Sequence, residues 1–497
     1  MLKTATGGVA NLLNEDTPTY RLPPEILARV LYLAVDHGSE KHAGQIIPLT
    51  HVCRYWRSIL LANPRMWSTL SMKPGNPDVI SEWLARSQNV PLTIIAEFVD
   101  EYNHPPCRYQ DSETATLADT PELGVCPRHK AVLSLDQLLP HRSRIHDFSI
   151  LVHSSDPNWD DGLHRGEPVL LSHHFFCKPL LNLQHLDLRA THVEGTRHAI
   201  PTPEFLFAGH LPSLKALKYL GVTGGLTRTA RDLVSCEFGY WSGSAGTAII
   251  AAEVLQRLFN NNTTLQSLTI TQGGFFANSR SRVPTPAPMM DLKYLEIQCP
   301  INDVLEKIVD GIHAPQFRSL DTVQLSLPLP TISVVATDGS GHTFKFSQSI
   351  ENDTNFFSLQ HLGAVVTTLR LDQGQTLGTL RLDQGSALYD FFQTLDTVQV
   401  LELSGEIDSV KTVLSDVVSI AGVFPGLRTI GIALSRDDYG EALQLLATAS
   451  RLRMEEGNPL TTIEPLLTGC ENGLGQELRV EWEKHYEAAG IQNFLSK

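Results

Sequence analysis

From Arg21 to about Leu70 the apolar residues recur with a helical period. Ile26, Leu27, Val30, Leu31 and Ala34 fall at i, i+1, i+4, i+5 and i+8 and predict one helix with an apolar face. Pro23-Pro24 opens it, because the first helical turn leaves an N–H unbonded anyway and proline lacks only that. Asp36-His37-Gly38-Ser39 ends it, with Gly38 just past the cap. The stretch Asp36–Pro48 reads as a connection. A second helix is predicted from about Thr50, as N-cap, to Ala62. Val52, Cys53, Trp56, Ile59 and Leu60 form its inner face, and Arg54, Arg57 and Ser58 point out. Asn63-Pro64 breaks it, and Arg65–Leu70 follows as a short turn carrying Trp67. Three helical pieces in about 50 residues bury little core, so the unit needs a partner or the next domain for stability.

After this head the period changes. Pro77–Ser87 reads as a helix, Val90–Val99 as a strand and Asp100–Lys130 as a long loop. A pattern L-x-x-L-x-L with apolar substitutes then recurs. It starts at Ile145, Leu183, Leu265, Leu292, Leu320, Val398 and Leu427, with weaker copies at Leu214 and Leu359. Spacings of roughly 27–39 residues are those of a repeat array, in which each short strand needs its neighbours to bury its apolar side. Helical connectors are predicted at Thr247–Asn260, Ile301–Ile312, Ser409–Val423 and Asp438–Met454. Ser333–Phe346, with Asp338-Gly339-Ser340-Gly341 at its centre, reads as a hairpin inserted between repeats. The heptapeptide Thr368–Gly374 is repeated at Thr379–Gly385, which predicts two adjacent strands. Leu474–Leu495 reads as a terminal helix capping the array.

Composition narrows the function. The 39 Lys/Arg against 54 Asp/Glu give a net charge of −15, which disfavours nucleic acid and anionic membrane surfaces as partners. The first 72 residues carry +2, so the acidity lies in residues 73–497. Seven cysteines without a CxxC pair predict reduced thiols and no zinc ribbon. The amino-terminal 20 residues hold no apolar run of signal-peptide length, and no stretch approaches 18 uninterrupted apolar residues. These features predict a soluble chain of the cytoplasm or nucleus. No GxSxG, GxxxxGK[ST] or HExxH occurs, nor a GxGxxG after a strand. His173-His174 and Cys126-Pro-Arg-His129 lack a second half at ligand spacing, and Asp160-Asp161 reads as a solvated turn. The expectation is a non-enzyme with no catalytic residues, cofactor or metal.

Leu22-Pro23-Pro24-Glu25-Ile26-Leu27, Val52-Cys53-Arg54-Tyr55-Trp56-Arg57 and Pro64-Arg65-Met66-Trp67, in that order, resemble the F-box motif. The later repeats resemble the leucine-rich-repeat half of F-box proteins, of the kind numerous in mushroom-forming fungi. The resemblance implies an α/β chain: a small three-helix F-box followed by an irregular leucine-rich-repeat solenoid, strands on its concave face and helices or loops outside. The implied boundaries are a tail at 1–20, the F-box at 21–72, and a linker helix, strand and loop at 73–140. The solenoid would run over 141–473 and a capping helix over 474–497. The implied function is substrate recognition for an SCF-type cullin–RING ubiquitin ligase. The F-box would dock on the Skp-type adaptor through Leu22, Pro23, Pro24, Ile26, Leu27, Val30, Val52, Cys53, Trp56, Arg57, Pro64 and Trp67. The repeats would capture a protein substrate. The alternative is a non-catalytic scaffold or regulatory repeat protein acting without a ligase.

Overall fold

In a computed structural model the chain is a mixed α/β protein dominated by parallel strands, with few helices. The structure describes residues 18–36, 41–72, 77–100, 127–154, 174–192, 200–201, 206–220, 222–223, 230–239, 252–271, 287–298, 312–320, 322–326, 331–349, 366–373, 392–393, 395–405, 410, 414, 423–433, 439–455, 457, 460 and 462–465. It forms two compact units: Met1–Leu233 with Tyr240–Gly246, and Val234–Gly239 with Thr247–Lys497.

The first unit opens with α1 (Pro24–Leu33), α2 (His42–Leu49), α3 (Arg54–Ala62) and a 3-10 turn, Pro64–Trp67. There follow β1 (Thr69–Met72), α4 (Pro77–Arg86), β2 (Leu92–Asp100) and α5 (Pro127–Leu138), then β3 (Ile145–Ser154), β4 (His185–His192) and β5 (Ala216–Leu220). Strands β1 to β5 pair side by side in chain order, all parallel. Period-two alternation fixes their register. Leu70, Ile94, Phe148, Leu186 and Leu217 stand opposite one another in one row, and Met72, Ala96, Ile150, Leu188 and Tyr219 in the next. All ten are buried. The Phe148 ring of the first row packs against those of Phe175, Phe176 and Phe207, all buried.

The second unit contains β6 (Ser235–Gly239), α6 (Ala252–Asn261), β7 (Ser267–Thr271), β8 (Tyr294–Gln298), β9 (Thr322–Ser326), β10 (Thr331–Thr337) and β11 (Thr343–Ser349). It continues with β12 (Thr368–Gln373), β13 (Val400–Gly405), β14 (Thr429–Ala433), α7 (Tyr439–Glu455) and β15 (Thr462–Pro465). Its strands lie in the order β6-β7-β8-β11-β10-β9-β12-β13-β14-β15. All pairs are parallel except β9–β10 and β10–β11. The anticipated hairpin is therefore inserted into the sheet, its two strands filling the space between β8 and β9. Gly341, at φ 83°, supplies its turn, and the Asp338 carboxylate accepts the Ser340 and His342 N–H groups at 2.9 Å each.

The strands begin in a common way. Leu183 N–H donates to Leu180 O at 3.3 Å, Leu292 to Met289 at 3.3 Å, Val398 to Leu395 at 3.2 Å and Leu427 to Phe424 at 3.0 Å. Each turn buries an apolar side chain three residues before the L-x-x-L-x-L run. The pattern read from sequence thus lacks its first position. It also misses β6, whose run is Leu233-x-x-Cys236-x-Phe238, with Cys in place of Leu.

Several expectations change. Asp36–Pro48 is not a bare connection, because α2 forms there around buried Ile46 and His42. The His42 Nε2–H donates to Met66 O at 3.1 Å, and Pro48 sits in the last turn, where it removes one hydrogen bond without breaking the helix. Thr50 closes α2, its hydroxyl donating to Ile47 O at 2.7 Å, and Cys53 is the N-cap of α3. Residues 127–130, expected in the long loop, begin α5. Both edges of β12 are occupied, by β9 and β13, so the expected pairing of the two heptapeptide copies with each other is not met. Residues 379–385, Gly38, Leu359, the 301–311 connector, most of 409–423 and the end helix at 474–495 lie outside the described residues.

Candidate partner-binding surface

Helix α1 is apolar on two sides. Leu27 and Leu31 point inward and are buried. Ile26, Val30 and Leu33 lie at i, i+4 and i+7 on the other side and are 51%, 49% and 66% exposed. Among the described residues the second stripe is left exposed, beyond the one that packs α1 on its neighbour. Ile47, Val52 and Leu61, on α2, before α3 and on α3, are also exposed. Of fourteen exposed large hydrophobic side chains among the described residues, seven fall between Tyr20 and Leu61. Such concentration of exposed apolar groups makes this head the candidate interaction surface.

Local chemistry holds this head in shape. The Leu22 carbonyl accepts the Tyr55 hydroxyl at 3.0 Å, and the Tyr20 and Tyr55 rings lie 4.6 Å apart. The segment leading into α1 is therefore held to the first turn of α3. The Cys53 sulfur accepts the Trp56 N–H at 3.4 Å, and the Asn63 side chain accepts the Arg65 N–H at 3.2 Å. The Trp67 indole N–H donates to Leu60 O at 2.9 Å and so satisfies a carbonyl at the end of α3.

The residues singled out from sequence divide three ways. Pro23, Pro24, Ile26, Val30, Val52 and Arg57 are exposed. Leu22, Cys53, Trp56 and Pro64 are half-buried. Leu27 and Trp67 are buried and belong to the core of the head. Sequence reasoning passed over Leu33, Ile47 and Leu61. Leu33 carries on the Ile26/Val30 spacing, which is the signal that could have found it.

In each unit a second candidate surface is the sheet face opposite its buried rows. In the first unit the Thr93 hydroxyl donates to Asp147 Oδ2 at 2.9 Å, and His185 Nδ1 meets Oδ1 of the same carboxylate. The acid sits between hydroxyl and imidazole, so the imidazole does not take the hydroxyl proton, as a nucleophilic triad requires. Arg189 grips Asp187 through two nitrogens. In the second unit Glu296 accepts from Lys345 at 2.8 Å, Tyr294 at 2.6 Å and Gln298 at 3.0 Å. Burial alone would push its carboxyl up. The three donors outweigh that and hold it below the ordinary carboxylate value. Burial, then the hydrogen bond and charge of Glu296, push the Tyr294 phenol up. Arg370 and Glu402 pair across adjacent strands at 2.6 Å. The face can bind through charge and hydrogen bonds. Of the histidines considered for metal, His174 pairs with Asp136 at 3.2 Å.

No protein-family model matches this chain, and no curated protein is significantly similar to it.

Proposed function

We propose that the chain is the substrate-recognition subunit of a cullin–RING ubiquitin ligase, acting by capture without catalysis in the cytoplasm or nucleus. On this reading the helical head is an F-box that docks on a Skp-type adaptor. The strands after it form a leucine-rich-repeat array whose polar face takes a protein substrate. The observation that carries the reading is the second apolar stripe of α1, Ile26, Val30 and Leu33, left facing out of a head whose sequence resembles the F-box. Support for the array comes from the recurrent turn-and-strand unit and its in-register apolar rows. No helix of the described residues is long and apolar enough to cross a membrane.

The test is Ile26→Ala combined with Val30→Ala. Both side chains are about half exposed, so the thermal melt should stay at the wild-type position. Interface anchors of this kind cost about 2 kcal/mol or more when truncated, so adaptor affinity should drop about thirtyfold or more. Substrate capture by the strands should be unaltered. A folded double variant that binds the adaptor as tightly as wild type would replace the ligase reading with the scaffold one.

A further inference from the structure

We infer that the surface which receives the α1 stripe is an apolar groove on an acidic protein, and that Arg54, Arg57 and Arg65 steer the encounter. This rests on the reading of the head as the adaptor-docking module and adds to it the charge of the partner. No Asp or Glu occurs from Lys41 to Met72. The described head residues, 18–36 and 41–72, hold six Lys/Arg against two Asp/Glu. This positive balance stands apart from a chain whose net charge is −15. Arg54 and Arg57 lie one turn apart on the outer side of α3, with Arg65 on the following 3-10 turn, and all three are exposed. The basic groups and the apolar stripe of Ile26, Val30 and Leu33 share one small three-helix head, in which the segment leading into α1 is tied to the first turn of α3.

Three classes of partner carry negative charge, and an anionic membrane surface would repel a chain whose net charge is −15. A nucleic acid would satisfy the arginines through its phosphates and leave the aliphatic stripe in water. An acidic protein with an apolar groove satisfies both, and guanidinium groups match carboxylates in paired geometry. Exposed ion pairs add little to affinity, but complementary fields raise association rates. The expected signature is therefore kinetic: a salt-sensitive on-rate with an off-rate set by the apolar contacts.

Full-length protein and purified Skp-type adaptor, mixed at salt from about 0.05 to about 0.5 M, provide the test, since this range carries the screening length from above to below typical pair separations. The wild-type on-rate should fall about tenfold or more across it while the off-rate stays nearly constant. Arg54→Glu with Arg57→Glu and Arg65→Glu should slow association about tenfold or more at low salt and invert the salt dependence. If that variant melts early, the Arg→Gln triple, which loses the slope without inverting it, takes its place. A wild-type on-rate indifferent to salt, or a folded variant with the wild-type on-rate, overturns the steering claim and leaves adaptor docking standing. Failure to bind adaptor at any salt overturns the docking reading and this inference together. Duplex DNA that binds the head and competes with the adaptor would also overturn it.

Discussion

Arg144 ties its own 3-10 turn to the connection between α4 and β2 with one guanidinium. Its Nε donates to Val90 O at 3.1 Å, its Nη2 to the Ser87 hydroxyl at 2.6 Å, and its Nη1 to His141 Nδ1 at 3.2 Å. An imidazole that accepts at Nδ1 cannot carry a proton there, so this contact requires neutral His141. Burial first, and the Arg144 charge second, hold the His141 pKa below its ordinary 6.5. A histidine whose folded value is depressed contributes stability that is present above the ordinary value and lost as pH falls through the folded one. The denaturation midpoint of wild type should therefore drop as pH falls from about 7 to about 5, and His141→Gln, which keeps an acceptor but cannot titrate, should show a shallower drop. Equal slopes for the two proteins would refute the assignment. None of this was visible in the sequence, because Ser87 and Arg144 lie 57 positions apart and only the pairing of β2 with β3 brings their flanks together. A similar constraint acts at Gly239, where any Cβ would land on the Thr271 hydroxyl and carbonyl across the β6–β7 pair.

At the scale of elements, α4 shows how the head is braced. Trp83 is 4% exposed and meets Trp67 edge-on at 4.7 Å, while the Arg86 guanidinium lies 4.5 Å over the Trp67 ring. Trp67 in turn holds the end of α3. Trp83→Ala should cost about 3–5 kcal/mol, seen as a lower melting temperature, and should weaken adaptor binding indirectly. Val79→Ala, on the exposed side of the same helix, should leave the melt within experimental scatter. Matching melts for the two variants would show that α4 does not brace the head. The spacing of apolar residues was enough to find α1, α3, α4, α6 and α7, and the alternation in L-x-x-L-x-L placed β3, β4, β7, β8, β9, β13 and β14. It failed at α2, where Gly44 and Pro48 are poor helix formers and the burial of Ile46 overrides them. The exposed apolar surface of the head was legible only in part. Ile26 and Leu27 are adjacent and equally apolar, and period alone does not say which faces the core. The three-dimensional packing puts Leu27 and Trp67 inside and leaves Ile26, Val30 and Leu33 out.

Across the whole molecule, charge is distributed unevenly. Residues 1–72 carry seven Lys/Arg against five Asp/Glu, and the remaining chain carries 32 against 49, a balance of −17. Two associations of opposite sign are expected if the head binds an acidic adaptor and the strands bind a substrate. The strand-borne carboxylates Glu237, Glu296 and Glu402 stand in one transverse register row of the second unit, with Thr269, Lys345 and Arg370 among the positions between them. Glu296 and Glu402 are paired there with Lys345 and Arg370, so the attraction for a substrate's basic groups comes from the balance of −17 over residues 73–497 as a whole. Proteins captured by the full-length chain under proteasome blockade should be enriched in basic patches, and their association should slow as salt rises. Glu237→Lys with Glu402→Lys should slow substrate association and leave the adaptor on-rate unchanged, whereas the arginine reversals on the head should do the opposite. Both proposed associations should be salt-sensitive in wild type, so only this crossed pair of variants assigns each field to its own partner. A captured set that is acidic on average, or a substrate on-rate unmoved by the glutamate reversals, would remove the strand face of the second unit as the place where the acidity of the chain acts.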